Sequence, residues 1–185
     1  MTILLIILSL LTNFLTNLET KTLQSDFTVT VTEEVNAPMN YPGTITMHGN
    51  QFLLTMYGLE AAYDGQTLYM YSGQTDELTL TSPSQQELTE ANPFLFAKAL
   101  VDVCNITERA SNDETIVTLT PKDQQIGINR FTLRVRNNDL MPLSVEIKEG
   151  KKSTTLKLNE PKFVEQKQEY VIKADKETYI NDMRL

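Results

Sequence analysis

Apolar residues recur at every second position in run after run of this chain, and that periodicity removes most folds from consideration. Leu68 and Met70 alternate with Tyr69 and Tyr71, and Leu78 and Leu80 alternate with Thr79 and Thr81. Phe27, Val29 and Val31 do the same against Thr28, Thr30 and Thr32. A period of two means a pleated strand with one buried face and one wet face. Gly49-Asn50 and Asp64-Gly65 separate such runs, and glycine there supplies the positive φ of a tight hairpin. Pro38 and the Pro42-Gly43 pair read as the turn that ends the first strand. Ile45 and Met47 follow, then Phe52, Leu54 and Met56, then a kinked segment from Leu59 to Tyr63. Six short strands thus lie between residues 26 and 81. Their connections are too short for crossover helices, so they run antiparallel.

Helical signals bracket this region. Ser84 with Glu87 has capping-box spacing and predicts a short helix to about Glu90. Asn92 caps a second helix with Pro93 in its first turn. Phe94, Ala97, Leu100, Val101 and Cys104 then share a helical face, so 84–104 is expected to form a helical lid. Ahead of the strands, Leu4, Leu8, Leu11, Leu15 and Leu18 mark one face of an amphipathic helix. The apolar run Ile3 to Leu8 is too short to span a bilayer, and it lacks a preceding Lys or Arg and a following small-x-small cleavage site. Residues 1–20 therefore read either as the first helix of the fold or as the remnant of a degenerate export signal.

The second half returns to alternation. Thr115–Thr120 is a strand, and Phe131, Leu133 and Val135 then oppose Thr132, Arg134 and Arg136. Leu143, Val145 and Ile147, then Leu156 and Leu158, mark two more strands, and Tyr170–Ile172 a last extended piece before a polar tail. No repeat or linker interrupts the chain, so 1–185 reads as a single domain.

Such strands make a mainly β, α+β architecture: one large antiparallel sheet, oily on one side, that twists into an unclosed half-barrel. Its concave side is expected to carry Phe27, Val29, Ile45, Met47, Phe52, Leu54, Met56, Leu68, Met70, Leu78, Leu80, Phe131, Leu133, Val145 and Ile147. Each of these is worth roughly 1.5–3 kcal/mol when buried, so the face must be covered. The available helices offer about 45 Å of length, while ten strands spaced about 4.8 Å apart are nearly as wide. Coverage by the helices is plausible but thin, and a cavity beneath them is a reasonable expectation that these lengths do not force. Met47, Met56 and Met70 either fill an ordinary core or present a surface that adapts to variable apolar shapes.

Composition narrows the function classes. A formal charge of −8 argues against nucleic acid and against anionic membrane surfaces. Cys104 is the lone cysteine, so no internal disulfide forms, and with no cysteine near the N-terminus the chain is not expected to be lipid-anchored there. His48 is the one histidine, which excludes a metal site of several imidazoles, and it lies far from any Gly-x-Ser-x-Gly elbow. Asp64, Asp76, Glu77 and Glu87 sit at solvated turns with nothing to pair two of them for catalysis. Residues 123–129 lack calcium-loop spacing, and no phosphate-binding glycine loop exists. Neither an enzyme nor a cofactor is expected.

The ordered motifs resemble a known family, the periplasmic outer-membrane lipoprotein carriers (LolA-like proteins). The likeness begins at Leu23-Gln24-Ser25-Asp26-Phe27 and continues through Gly43-Thr44-Ile45-Thr46-Met47. It is clearest at Asp64-Gly65-Gln66-Thr67-Leu68-Tyr69-Met70-Tyr71, with Glu77-Leu78, Pro83 and Asn92-Pro93 after it. Leu119-Thr120-Pro121-Lys122, Pro142-Leu143 and Asp182-Met183-Arg184 extend it over nearly the whole chain. The resemblance implies a periplasmic chaperone, a monomer whose hydrophobic cavity, Phe94 included, takes the acyl chains of lipoproteins. It implies cargo received from an inner-membrane lipoprotein-releasing ABC transporter and passed to an outer-membrane acceptor. Without an N-terminal lipidated cysteine, the chain resembles the soluble carrier rather than the LolB acceptor. The alternative is a lipid- or lipoprotein-sensing module of the same fold that does not transport. In the hairpin before the Phe52 strand, many relatives carry Arg-Pro where this chain has His48-Gly49, so His48 marks the expected handover hairpin and its one-way action is open.

Overall fold

The first half of the chain forms consecutive hairpins: β1 (Thr22–Glu33), β2 (Asn36–His48), β3 (Gln51–Met56), β4 (Leu59–Tyr63), β5 (Leu68–Ser72) and β6 (Glu77–Thr81). The computed structural model describes residues 2–165 and 168–184, and the side chains of all of these except 2–9 and 124. Leu4 and Leu8 therefore lie outside the described side chains. The helix α1 (Thr2–Thr20) precedes the strands, and Leu11, Phe14 and Leu18 form its buried face. Two short helices follow β6, α2 (Gln85–Ala91) and α3 (Pro93–Leu100). Ser84 and Glu87 close a capping box on α2, and the Asn92 side chain accepts from Phe94 N–H at the start of α3. The second half contributes β7 (Cys104–Ala110), β8 (Glu114–Pro121), β9 (Arg130–Arg136), β10 (Pro142–Glu149), β11 (Lys152–Val164) and β12 (Tyr179–Asp182).

All twelve strands of the described residues belong to one open sheet in the order β12-β6-β5-β4-β3-β2-β1-β11-β10-β9-β8-β7. The sheet is thus two meanders joined at one seam, where β1 pairs antiparallel with β11 from Thr22↔Val164 to Thr32↔Ser153. Every pairing is antiparallel except that of β12 with β6. That parallel edge is possible because β12 is separated from β6 by the whole second meander and a long connection rather than by a hairpin.

Four local expectations are corrected. The first turn falls at Glu34-Val35, with Glu33 opposite Asn36, and β2 runs straight through Pro38, Pro42 and Gly43. Only Gly43–His48 of β2 pairs with β3. The stretch before it has a free edge, where a proline's missing N–H removes no ladder bond and blunts the edge against strangers. Gly43 is there for closeness rather than for turning, since a Cβ would collide with the Phe27 ring and the Thr55 carbonyl. The lid helix ends at Leu100, and Cys104 opens strand β7 instead of extending the helical face. Tyr170–Ile172 lies outside the strands, and the final strand sits further on, within the polar tail.

The fourth correction concerns faces. Residues directly opposite in neighbouring strands share a face. Leu68 lies opposite Tyr63, which lies opposite Phe52, and all three belong to the main core beneath the helices. Leu78 lies opposite Tyr71 and Leu80 opposite Tyr69, so both point to the outer side of the sheet, not into the hollow. They are buried, as is Ala62, yet stand apart from the main core cluster. Residues 168–178, ahead of β12, cross this outer face. Tyr170 lies beside Thr22, His48 and Gln51, and Thr178 donates to Asp76 at 3.1 Å.

Candidate functional site

The concave face is a continuous apolar surface built by the register. Val117, Leu133, Val145, Leu156, Val29 and Tyr41 follow one another across β8, β9, β10, β11, β1 and β2. Helices cover only part of it. Phe14 of α1 meets Phe94 of α3 with ring centroids 6.1 Å apart, and Phe96 stands edge-on to Phe131 at 6.0 Å. Helix α3 is therefore apolar on two sides. Phe94 and Leu95 face α1, while Pro93 and Phe96 roof a groove over the seam.

That groove has a volume of about 330 Å³. Its floor is Phe27, Val29, Leu54 and Met56 from the first meander and Val145, Ile147 and Leu156 from the second. Ala91, Pro93 and Phe96 form its roof, and Thr89, Glu90, Glu149 and Thr154 its polar rim. A largely apolar slot with polar groups only at the mouth suits a ligand with a hydrocarbon body and a solvated head. A second cavity of about 360 Å³ lies on the other side of α3, between α1 and the β2–β3 hairpin. Leu15, Leu18, Met47, Phe94 and Leu95 line it, and the Lys98–Glu19 pair, 2.5 Å apart, bridges the two helices at its mouth.

The residues expected to line the hollow thus divide. Phe27, Val29, Leu54, Met56 and Val145 meet in the groove. Met47 and Phe94 border the second cavity. Ile45, Phe52, Leu68, Phe131 and Leu133 face the same way but are closed over as core. Met70 also faces inward, beyond the reach of the helices, and is 54% exposed. His48 does not approach the groove: it ends β2 on the outer side, with Nδ1 3.4 Å from the Thr22 hydroxyl. Phe96, Pro93 and Leu156 were missed as lining residues. Phe96 carried a usable signal, being a bulky apolar residue off the face that Phe94, Ala97 and Leu100 bury.

Polar chemistry around the hollow is sparse. No group of three or more His, Cys, Asp or Glu side chains is placed to hold a metal ion among the described residues. Burial pushes the Cys104 thiol up, away from the reactive thiolate, with a smaller opposing pull from Lys122. None of the described helices is long and apolar enough to cross a membrane. One inward carboxylate stands out: Glu108 on β7 lies opposite Val117, and its buried Oε1 has no hydrogen-bond partner among the described residues. Burial raises its carboxyl above the ordinary range. The folded chain therefore holds this proton to higher pH than the unfolded chain does. Stability is favoured at low pH and falls as pH rises from the ordinary carboxyl range through the raised value. Glu108→Gln is expected to flatten that decline, by at most about 1 kcal/mol because solvent still screens the side chain. Thermal melts of both proteins between pH 4 and pH 8 check it.

The sequence profile described as "Outer membrane lipoprotein carrier protein LolA" matches residues 18–169. No curated protein matches the chain in sequence. Among solved structures, an uncharacterized conserved protein from Thermus thermophilus superimposes with a TM-score of 0.61 at 13% identity, over 93% of this chain and 96% of that one. The complex structure of Pseudomonas aeruginosa MucA/MucB contains a chain similar over 85% of this chain and 57% of its own length, with a TM-score of 0.51 and 13% identity. At these identities the two likenesses concern the fold.

Proposed function

Since the chain belongs to the LolA family of outer membrane lipoprotein carriers, we propose that it binds the acyl chains of lipoproteins in the groove beneath α3 and ferries them through the periplasm to an outer-membrane acceptor. The observation that supports this most is the groove itself, with an apolar floor drawn from both meanders and charge only at its rim. Each methylene buried there is worth up to about 0.8 kcal/mol. A bound chain therefore does not leave into water on a useful timescale, and it needs another apolar site to receive it.

Release then depends on the roof. Helix α3 is held to α1 by the Phe14–Phe94 contact and, at the surface, by Glu19–Lys98. The ion pair is exposed and contributes little to stability, about 0–1 kcal/mol, which suits a contact that opens repeatedly. Organic extraction of the purified protein, followed by mass spectrometry, is expected to yield acylated lipid or lipopeptide. Glu19→Cys with Lys98→Cys, bridged by a short bifunctional thiol reagent, is expected to slow release of a bound acyl chain to acceptor membranes by at least tenfold. Buried Cys104 stays out of that reaction. Bridged protein that exchanges its lipid at the unbridged rate would overturn the moving roof. Binding without transfer to any acceptor membrane would leave a sensing module rather than a carrier.

A further inference from the structure

The free edges of this sheet are guarded, with one exception. The unpaired half of β2 carries Pro38 and Pro42, and the part of β11 beyond β10 carries Pro161. β12 caps β6 and is itself only four residues long. Prolines, bulges and shortness all keep an edge from recruiting another strand. β7, at the far end of the sheet, has none of them. It is seven residues of regular strand without a proline, paired with β8 from Cys104↔Pro121 to Ala110↔Thr115 with no bulge. Asn105, Thr107, Arg109 and Ala110 are exposed. Among the described residues, no backbone hydrogen bond from outside the β7–β8 ladder reaches residues 104–110. The inward row on β7 is Cys104, Ile106 and Glu108, opposite Pro121, Leu119 and Val117. Cys104 and Ile106 join the core, and Glu108 ends the row with its buried Oε1 lacking a hydrogen-bond partner among the described residues.

We propose that β7 is a docking edge for an extended segment of a partner protein, which adds to the sheet as a further strand and sets an Arg or Lys against Glu108. Main-chain hydrogen bonds along the open edge supply the affinity, and the inward side chains supply the selectivity. Glu108 is the single guard this edge possesses. An inward charge turns away a strand that has only apolar groups to offer it, and admits one that brings a cation. A buried carboxylate oxygen without a donor is costly, so the partner's cation gains more here than it would on open surface. Apolar residues on either side of that cation continue the row that Ile106 begins. The chain's charge of −8 favours a basic segment over an acidic one. It also opposes a second copy of this chain, whose edge would bring the same net charge and another Glu108. The proposal does not depend on what fills the groove, which lies over β10, β11 and β1 rather than at this edge.

The test titrates the protein with the peptide acetyl-Thr-Val-Thr-Arg-Thr-Val-Thr-amide and with its counterpart carrying Glu in place of Arg, followed by amide NMR. The Arg peptide is expected to bind at least tenfold tighter and to shift the amides of Cys104–Ala110. In Glu108→Gln, which keeps the side chain's shape and hydrogen bonding, that preference is expected to shrink to within threefold. A thermal melt verifies that the variant stays folded. Successive N–H groups of an extended strand point to opposite edges. N-methylation of the Thr amides therefore blocks one edge of the peptide, and N-methylation of the Val and Arg amides blocks the other. One methylated peptide is expected to lose binding and the other to keep it within threefold. Equal behaviour of the two, or an Arg preference that survives in folded Glu108→Gln, overturns the docking edge. So does an Arg peptide that shifts no β7 amide at about millimolar concentration. A wild-type dimer in sedimentation that the Arg peptide dissociates would put a second copy on β7 and overturn the choice of a foreign partner. Any of these failures leaves the groove standing, because lipid binding is read separately by extraction.

Discussion

Leu54→Glu is expected to abolish hydrocarbon binding in a protein that still folds. Leu54 is half-buried on β3 and lines the groove, so in the empty protein its replacement reaches solvent through the groove mouth. A guest chain would strip that solvent from an unpaired carboxylate, which costs about 3 kcal/mol or more and weakens binding at least about 100-fold. Leu68→Glu provides the contrast. Leu68 shares the inward face but is 5% exposed in the closed core, so the same substitution there unfolds the protein. Displacement of a fluorescent acyl probe, read beside a circular dichroism melt, separates the two outcomes. A folded Leu54→Glu protein with wild-type affinity would remove the groove from the mechanism.

Gly43→Ala is expected to produce the largest loss of stability from adding one methyl group. The new Cβ would press on the Phe27 ring on one side and on the Thr55 carbonyl on the other. A ring can shift, but a backbone oxygen held in the β2–β3 ladder cannot, so the change falls at the upper end of overpacking, about 3 kcal/mol. For a chain of this length that lowers Tm by about 6–12 °C. Phe27→Leu in the same chain is expected to recover part of the loss, because it frees one of the two collisions. Additivity of the two substitutions would mean that Phe27 does not press on position 43. The pair matters to the ligand as well, since Phe27 is part of the groove floor.

Much of this architecture was legible. Alternation located the strands, Gly49-Asn50 and Asp64-Gly65 located hairpins, and the Ser84–Glu87 and Asn92-Pro93 signals located both short helices. Parity across a turn was not legible. Leu68 and Leu78 belong to equally clean alternating runs, but the connection between β5 and β6 sets Ser72 opposite Glu77 and so turns Leu78 and Leu80 outward. Nothing in either strand carries that information; it lies in the length of the connection. Prolines misled for a related reason: a breaker signal assumes both edges of a strand are paired, and half of β2 has an open edge. The exposure of Met70 depends on how far the helices reach, which no local pattern records. β7 hid because its outward residues are polar and its inward run includes Glu108, so it lacks the oily alternation of its neighbours. The family resemblance is supported by the profile match over residues 18–169.

The seam between β1 and β11 also orders events in time. Ser25 and Asn159, bonded across it, are 134 positions apart in sequence, whereas every other antiparallel pairing joins strands that follow one another along the chain. Local hairpins zip quickly, and a contact closing so long a loop comes late. Each meander can thus form early as a bent half-shell, but the slot for a guest needs both. A polypeptide still being synthesised has no closed groove until residues 152–164 arrive, so the apolar slot exists only once the second meander is in place.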